Sequence, residues 1–438
     1  MTFVMGVDSS TQSCKVVVRD IETDLVVRTG FASHPPGTEV HPEAWWNALI
    51  EAVTSAGGMA EVGAISIAGQ QHGLVALDVD GQPLRPALLW NDTRSSHEAE
   101  DIVERFGKKG ILERTGSLPV AATTSTKLLW VARNEPQVAS RIAAVCLPHD
   151  YLSWRLSSSY PNIDALFTDR SDASGTGYFN PETNQYDKEI IDFCIGRQIV
   201  LPRLVDDDSA ADTVRVELAP HEPPISAGMG DNASAARGMG LTPGTLGVSL
   251  GTSGTVFGIT ESPHRDQDGY ISGFASGDGR YLPLVCTLNA ARVITWGASL
   301  LGVDLDTFAE LALAAPSGSA GLIFTPYLEG ERTPNLPDAT GSLEGISLTS
   351  GSRENFARAC VEGMLRNLVA ATKVMESSGV SAERIVLIGG ASTNPAVQQI
   401  AREMFSAPVE IISPGEYVAL GASRQAETTL KSAKRDRS

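Results

Sequence analysis

Two α/β domains built on one plan, facing each other across a cleft, are what the sequence predicts, and three observations predict them. A short pattern occurs twice. Gly6-Val7-Asp8-Ser9-Ser10-Thr11-Gln12-Ser13 runs into Val16-Val17-Val18, and Gly247-Val248-Ser249-Leu250-Gly251-Thr252-Ser253-Gly254 runs into Val256-Phe257-Gly258-Ile259. Each copy reads as strand, tight turn of small hydroxylated residues, strand. The elements after each copy also follow the same order, strands first and then mixed helix and strand. Finally, 438 residues suffice for roughly two or three domains with cores of their own.

The elements follow in order. Residues 3–8, 14–19 and 25–32 read as three antiparallel strands. Residues 42–56 read as a helix whose first turn is marked by Pro42 and Glu43. Residues 62–68 form a buried strand. Residues 74–80 lead into the Asp80-Gly81 turn, a hairpin signal. Helices are expected at 126–134 and 150–156. The stretch 205–224 is rich in Asp, Pro and Glu and reads as a connection. A strand at 224–227 follows, then the loop Gly228-Met229-Gly230-Asp231-Asn232 and a helix opening near Ala233. The strand pair at 246–259 restarts the pattern. Residues 352–378 form a long amphipathic helix, capped by Ser352 and stopped by Gly379. An apolar strand at 384–388 enters the loop Gly389-Gly390-Ala391-Ser392-Thr393-Asn394-Pro395, and another helix follows. The domains are placed at 1–223 and 224–438.

Composition excludes several classes. Apolar residues make up 42% and charged residues 20%, which describes an ordinary globular chain. No apolar run is long enough to span a bilayer, and no basic region precedes the first strand, so no secretion signal is expected. Five scattered cysteines without a C-x-x-C pair suggest neither a disulfide framework nor a zinc site, and a reducing cytoplasm fits. The net charge of −18 argues against a nucleic-acid surface. The cluster Lys431, Lys434, Arg435, Arg437 reads as a solvated end. There is no G-x-x-x-x-G-K-[ST] loop, G-x-S-x-G elbow or H-E-x-x-H helix.

Turns made of small residues let backbone N–H groups and hydroxyls reach phosphate oxygens, so the paired turns would clasp a polyphosphate; alone, either is an ordinary hairpin. Asp8 ends an apolar strand, and a carboxylate there is compensated either by a magnesium ion or by capping the next turn. Asp231 serves as a general base, as a helix cap, or as both. Gly69-Gln70-Gln71-His72-Gly73 offers amides and an imidazole to a polyhydroxylated ligand. Trp90-Asn91-Asp92-Thr93-Arg94 is a second polar loop. The Gly389–Asn394 loop suits adenine or ribose packed on backbone.

Together these residues resemble the FGGY carbohydrate kinases of the actin, heat-shock-70 and hexokinase superfamily, over nearly the whole chain. The resemblance begins with Gly6-Val7-Asp8 and Lys15 and continues through Gly69–Gly73 and Trp90-Asn91-Asp92. It takes in Lys127-Leu128-Leu129-Trp130, Gly230-Asp231-Asn232, Gly251-Thr252-Ser253, the run from Gly341 to Glu362, and Gly389-Gly390-Ala391. Within the family the chain is similar to the D-xylulose kinases, through Gln71-His72-Gly73, Pro148-His149-Asp150-Tyr151-Leu152, the tract Thr168–Thr176 and Tyr327–Pro334. The resemblance implies two ribonuclease-H-like domains around a central cleft, with ATP and Mg²⁺ as cofactors. It implies Asp231 as catalytic base and Asp8 as an essential residue near the metal. Gln71, His72, Trp90, Asp231 and Asn232 are implied at the sugar. Thr11, Lys15, Gly251, Thr252 and Ser253 are implied at the phosphates, and Gly389, Gly390 and Asn394 near the adenosine. The chain departs from the family at Ser10, Gln12, Gln71 and Thr340. The alternatives are the same transfer to ribulose, gluconate or glycerol, or a nucleotide-dependent binding module without sugar chemistry. Neither nucleic acid nor membrane is expected as a partner. The resemblance allows a homodimer, and the sequence carries no interface signature for one.

Overall fold

A computed structural model describes residues 2–334, 336 and 338–435. The chain forms two compact units. The first holds the residues up to Gly240, Gly273–Leu282 and those from Glu416 on; the second holds Leu241–Ser272 and Pro283–Gly415. The position expected to divide the chain, 223/224, falls inside the first unit. There the strand Pro224–Ser226 pairs with both Ala210–Thr213 and Val62–Gly69, so sheet hydrogen bonds carry the chain across that point.

The sheet of the first unit contains β1 (Phe3–Ser9), β2 (Ser13–Asp20), β3 (Val26–Ser33), β4 (Val62–Gly69), β5 (Ala210–Thr213) and β6 (Pro224–Ser226). Their order is β5-β6-β4-β1-β2-β3, with Met229–Gly230 also paired to β4. The three N-terminal strands are antiparallel, as predicted, and β4 runs parallel to β1. β1 is apolar up to Asp8, and β4 is apolar apart from Ser66, because both faces are covered. The helix Pro42–Ser55 packs on β2 and β3, and the helix Tyr417–Arg435 packs on β1 and β4. At Gly6 the C-terminal helix comes so close that a Cβ would lie 2.0 Å from the Ala419 carbonyl oxygen. The same helix crosses the helix Asp231–Met239, where a Cβ on Gly421 would lie 1.8 Å from the Ser234 carbonyl oxygen. Arg19, 2% exposed, reaches this helix through Ser423 and Glu427.

The second unit repeats the plan. β7 (Thr245–Leu250), β8 (Gly254–Gly258), β9 (Tyr281–Thr287, its residues from Pro283 on), β10 (Arg384–Ile388) and β11 (Val409–Ile411) line up as β9-β8-β7-β10-β11. The hairpin β7–β8 corresponds to β1–β2, and the parallel neighbour β10 corresponds to β4. Three antiparallel strands followed by two parallel ones is the ribonuclease-H-like order, present twice. The helix Arg353–Ser377 supplies much of the second core through Cys360, Met364, Leu365 and Leu368. Ser352 caps it by accepting the Asn355 N–H at 3.2 Å, and Gly379, at φ +90°, follows its end.

Two expectations are corrected. The connection at 205–224 contains β5, because Ala210–Thr213, with Ala211 buried, found an antiparallel partner in β6. Asp231 is not the cap of its helix: Gly230 occupies that position and Asp231 is the first helical residue. Lys431, Lys434 and Arg435 are exposed, as expected of a solvated end, and lie on the last turns of the C-terminal helix, with Lys431 paired to Glu427 at 2.5 Å; Arg437 lies outside the described residues. No helix among the described residues is long and apolar enough to cross a membrane.

Candidate active site

The register of the first sheet brings three loops abreast. Asp8 pairs with Ala68, and Ala68 pairs with Met229; Ser9 pairs with Gly69, and Gly69 with Gly230. β1, β4 and the short strand Met229–Gly230 therefore end side by side at their carboxyl ends, the edge at which parallel α/β sheets bind ligands. Asp8, Gln71 and Asp231 follow from those three ends.

Asp231 is half-buried in the first turn of its helix, where backbone N–H groups favour a negative charge. Its Oδ1 accepts from the Asn232 N–H at 2.8 Å and from Asn232 Nδ2 at 2.9 Å. Oδ2 bonds to no other residue among those described. Burial, then the nearby charge of Asp8, raise the Asp231 carboxyl from its ordinary range to about 7. Asp8 itself is buried and raised to about 6, chiefly by desolvation, although Ser10 Oγ donates to its Oδ1 at 2.5 Å. Two raised carboxyls at one sheet edge make a site short of positive charge.

Gln71 and His72 meet this edge from β4. Gln71 is buried, and its Nε2 donates to the Ser171 carbonyl at 3.1 Å while its Oε1 has no protein partner among the described residues. Its amide lies against Gly230, where a Cβ would sit 2.7 Å from Nε2. This contact explains the glycine at position 230. His72 holds φ at +69°, a left-handed conformation that costs a branched-free side chain energy and is retained where surroundings impose it. Its Nδ1 lies 2.5 Å from the Gly175 carbonyl oxygen. Trp90 donates from Nε1 to Thr11 Oγ1 at 2.8 Å, and Thr11 Oγ1 donates to Gln70 Oε1 at 3.3 Å. The first turn and both polar loops are thus joined. Lys15 is engaged by Glu416 at 2.7 Å.

Sequence reasoning did not single out the support beneath these loops. His149 is fully buried, with Nε2 3.1 Å from Asp172, 3.3 Å from Asp150 and 3.6 Å from Asp169. Burial lowers its pKa, but the three carboxylates outweigh burial and raise it to about 10. A Cβ on Gly228 would meet His149 Nδ1 at 2.7 Å, so this charged cluster lies against the chain just before Asp231. Ser171 and Gln70 were likewise not assigned roles. The signal was present in the tract Thr168–Thr176, where Asp169 caps the short helix Arg170–Ala173.

In the second unit Gly251, Thr252 and Ser253 form the β7–β8 turn, with Thr252 exposed. Ala290 and Ala291 N–H groups bond the Thr252 and Gly251 carbonyls at 3.2 and 2.9 Å. Gly389 adopts φ +94° and packs where a Cβ would lie 2.6 Å from the Leu250 carbonyl oxygen. Gly390 faces open space. Asn394 caps the helix Pro395–Met404, accepting from the Ala396 and Val397 N–H groups at 2.9 and 3.2 Å.

Comparison with known proteins agrees with this arrangement. The model of the N-terminal domain of the FGGY family of carbohydrate kinases matches residues 3–238, and that of its C-terminal domain matches residues 246–429. The chain is 42% identical to the xylulose kinase of Streptomyces rubiginosus, over 98% of this chain and 88% of that protein. It is 31% identical to the xylulose kinase of Haemophilus influenzae, over 96% of this chain and 90% of the other. The crystal structure of xylulose kinase from Bifidobacterium adolescentis superposes with a TM-score of 0.92 at 42% identity, covering 98% of this chain and 93% of that one. With both domain models matched in order along a chain that carries the duplicated fold, the protein belongs to the FGGY family of carbohydrate kinases.

Proposed function

We propose that the protein transfers the γ-phosphate of ATP to the terminal hydroxyl of D-xylulose, giving D-xylulose 5-phosphate, with Asp231 as general base. The observation that carries this reading is the Asp231 carboxylate. It is held through one oxygen by Asn232, raised to about 7, and follows Gly230, against which the Gln71 amide lies. A base whose pKa lies near the working pH combines the right protonation state with useful basicity. Gln71, His72 and Trp90 are assigned to the sugar, with Asn232 orienting the base. Thr11 and Lys15, with Gly251, Thr252 and Ser253, are assigned to the phosphates. Gly389, Gly390 and Asn394 are assigned to the adenosine.

Magnesium suits the residues present. Asp8 is a buried carboxylate with a raised pKa and no side-chain cation among its hydrogen-bond partners, and magnesium prefers hard oxygen ligands. Bound there, the ion would neutralise phosphate charge. In the transfer, the sugar oxygen forms a bond to the γ-phosphorus, the bond to the bridging oxygen breaks to release ADP, and the hydroxyl proton passes to Asp231. Positioning and charge neutralisation supply most of the catalysis in such transfers. The five unpaired cysteines fit a reducing cytoplasm as the setting.

The test is ADP release from Mg-ATP with D-xylulose, ribulose, gluconate, glycerol or no sugar. Release that requires D-xylulose supports the reading. Equal release with every sugar and with none would overturn it.

A further inference from the structure

Gln71 and Asp231 come from distant parts of the chain, yet a sugar contact and a base must hold a fixed separation if a hydroxyl bound by one is to lose its proton to the other. One buried residue touches both loops. Ser171, 0% exposed, lies on the short helix Arg170–Ala173. Asp169 caps that helix, its Oδ2 accepting the Ser171 N–H at 2.7 Å and its Oδ1 the Asp172 N–H at 3.0 Å. Ser171 Oγ accepts the N–H of Gly230, the residue before Asp231, at 3.1 Å. The Ser171 carbonyl accepts Gln71 Nε2 at 3.1 Å and Ser174 Oγ at 2.6 Å.

We propose that Ser171 is a positioning residue for the transfer: its hydroxyl sets the base loop and its carbonyl sets the sugar contact, so that both are referenced to one rigid point. The proposal rests on the reading of Asp231 as base and Gln71 as sugar contact. Without the hydroxyl, the buried Gly230 N–H has no acceptor and must shift toward one. Asp231 is the next residue, so the shift reaches the carboxylate directly. A misplacement of about 1 Å at a reacting group can cost about 10²-fold in rate. The carbonyl belongs to the backbone, so loss of the hydroxyl leaves the Gln71 contact in place.

This separation gives the test. Ser171→Ala, Ser171→Cys and Ser171→Thr are compared with Thr176→Ala, which removes a buried hydroxyl that donates to the Ala173 carbonyl at 2.6 Å and accepts the Tyr178 N–H at 3.4 Å. Initial rates are measured per mole of folded enzyme with Mg-ATP and D-xylulose, and melting temperature is measured in parallel. Ser171→Ala is expected to lower kcat about tenfold or more while KM for D-xylulose changes by less than about threefold. Ser171→Cys, which keeps the volume but accepts weakly, should behave alike, and Ser171→Thr should restore most of kcat. If Ser171→Ala does not fold, the Cys and Thr pair carries the same contrast. Native kcat in both Ser171→Ala and Ser171→Cys, or an equal fall of kcat in Thr176→Ala, would overturn the proposal. Asp231→Ala is run alongside. Near-native turnover in that variant would overturn the assignment of the base, and this proposal with it, whereas loss of turnover there with native kcat in the Ser171 variants would overturn the positioning role alone.

Discussion

At the scale of the residue, Asp231 meets opposing demands. Function needs a carboxylate basic enough to take a proton near neutral pH. Stability disfavours a partly buried charge beside Asp8. Replacing Asp231 by Ala should lower turnover by roughly 10² or more with ATP binding retained; rate assays and a nucleotide-binding titration check this. The raised pKa also fixes the sign of a stability effect. The folded state holds a proton between the ordinary aspartate value of 3.8 and about 7 that the unfolded chain has already lost. Ionisation of Asp231 therefore costs stability, and that cost grows as pH rises through this window. Asp231→Asn removes the charge, so its melting temperature should exceed the native value by about 2–4 °C at pH 8 without ligands. The difference should shrink toward zero at pH 5. A larger gain at pH 5 than at pH 8 would contradict the assignment. His149 shows the opposite case: among three carboxylates its charge is favoured, and its ring lies against Gly228.

At the scale of the element, the helix Asp231–Met239 carries the proposed base at one end and is clamped along its length by the C-terminal helix. The clamp depends on side chains that are absent. A Cβ on Gly421 would lie 1.8 Å from the Ser234 carbonyl oxygen, and one on Gly238 would lie 1.9 Å from that of Tyr417. Gly421→Ala forces these backbones apart and should cost about 1–3 kcal/mol in denaturant unfolding. Turnover should fall as well, because the helix that must move is the one that holds Asp231. Lys127 illustrates a different role for an element. It is wholly buried, its Nζ bonds the carbonyls of Ala121 and Ala122, and burial lowers its pKa to about 7. It ties the start of the helix Thr124–Asn134 to the loop before it.

At the scale of the whole molecule, each unit has a core of its own. Every residue assigned to the sugar lies in the first unit. D-xylulose alone, without nucleotide, is therefore expected to stabilise the protein, by about 2.7 kcal/mol at a concentration of 100 Kd. A melting temperature that D-xylulose leaves unchanged at saturating concentration would count against the placement of the sugar residues.

Much of this was legible in the chain. The two strand–turn–strand copies, the strand at 62–68, the helix at 352–378 with its cap and stop, and the loops at 69–73 and 90–94 all follow from periodicity and turn chemistry, whereas the segment expected as a loop at 228–232 holds the strand Met229–Gly230 and the first residues of the helix Asp231–Met239. These are local properties, written in residues near one another in sequence. The departures share one cause. The pairing of Ala210–Thr213, the helical course of the chain beyond Tyr417, and Gly230 rather than Asp231 at the helix cap were set by partners far away in sequence. The candidate site divides in the same way. Residue types and turns named Asp8, Gln71, His72 and Asp231 as chemistry-bearing groups. Only the tertiary structure decided that β1, β4 and Met229–Gly230 end abreast, that burial and Asp8 raise Asp231 to about 7, and that Ser171 ties the two loops together. Desolvation and hydrogen-bond partnership depend on what the folded chain brings alongside a group, and no window of sequence contains that information.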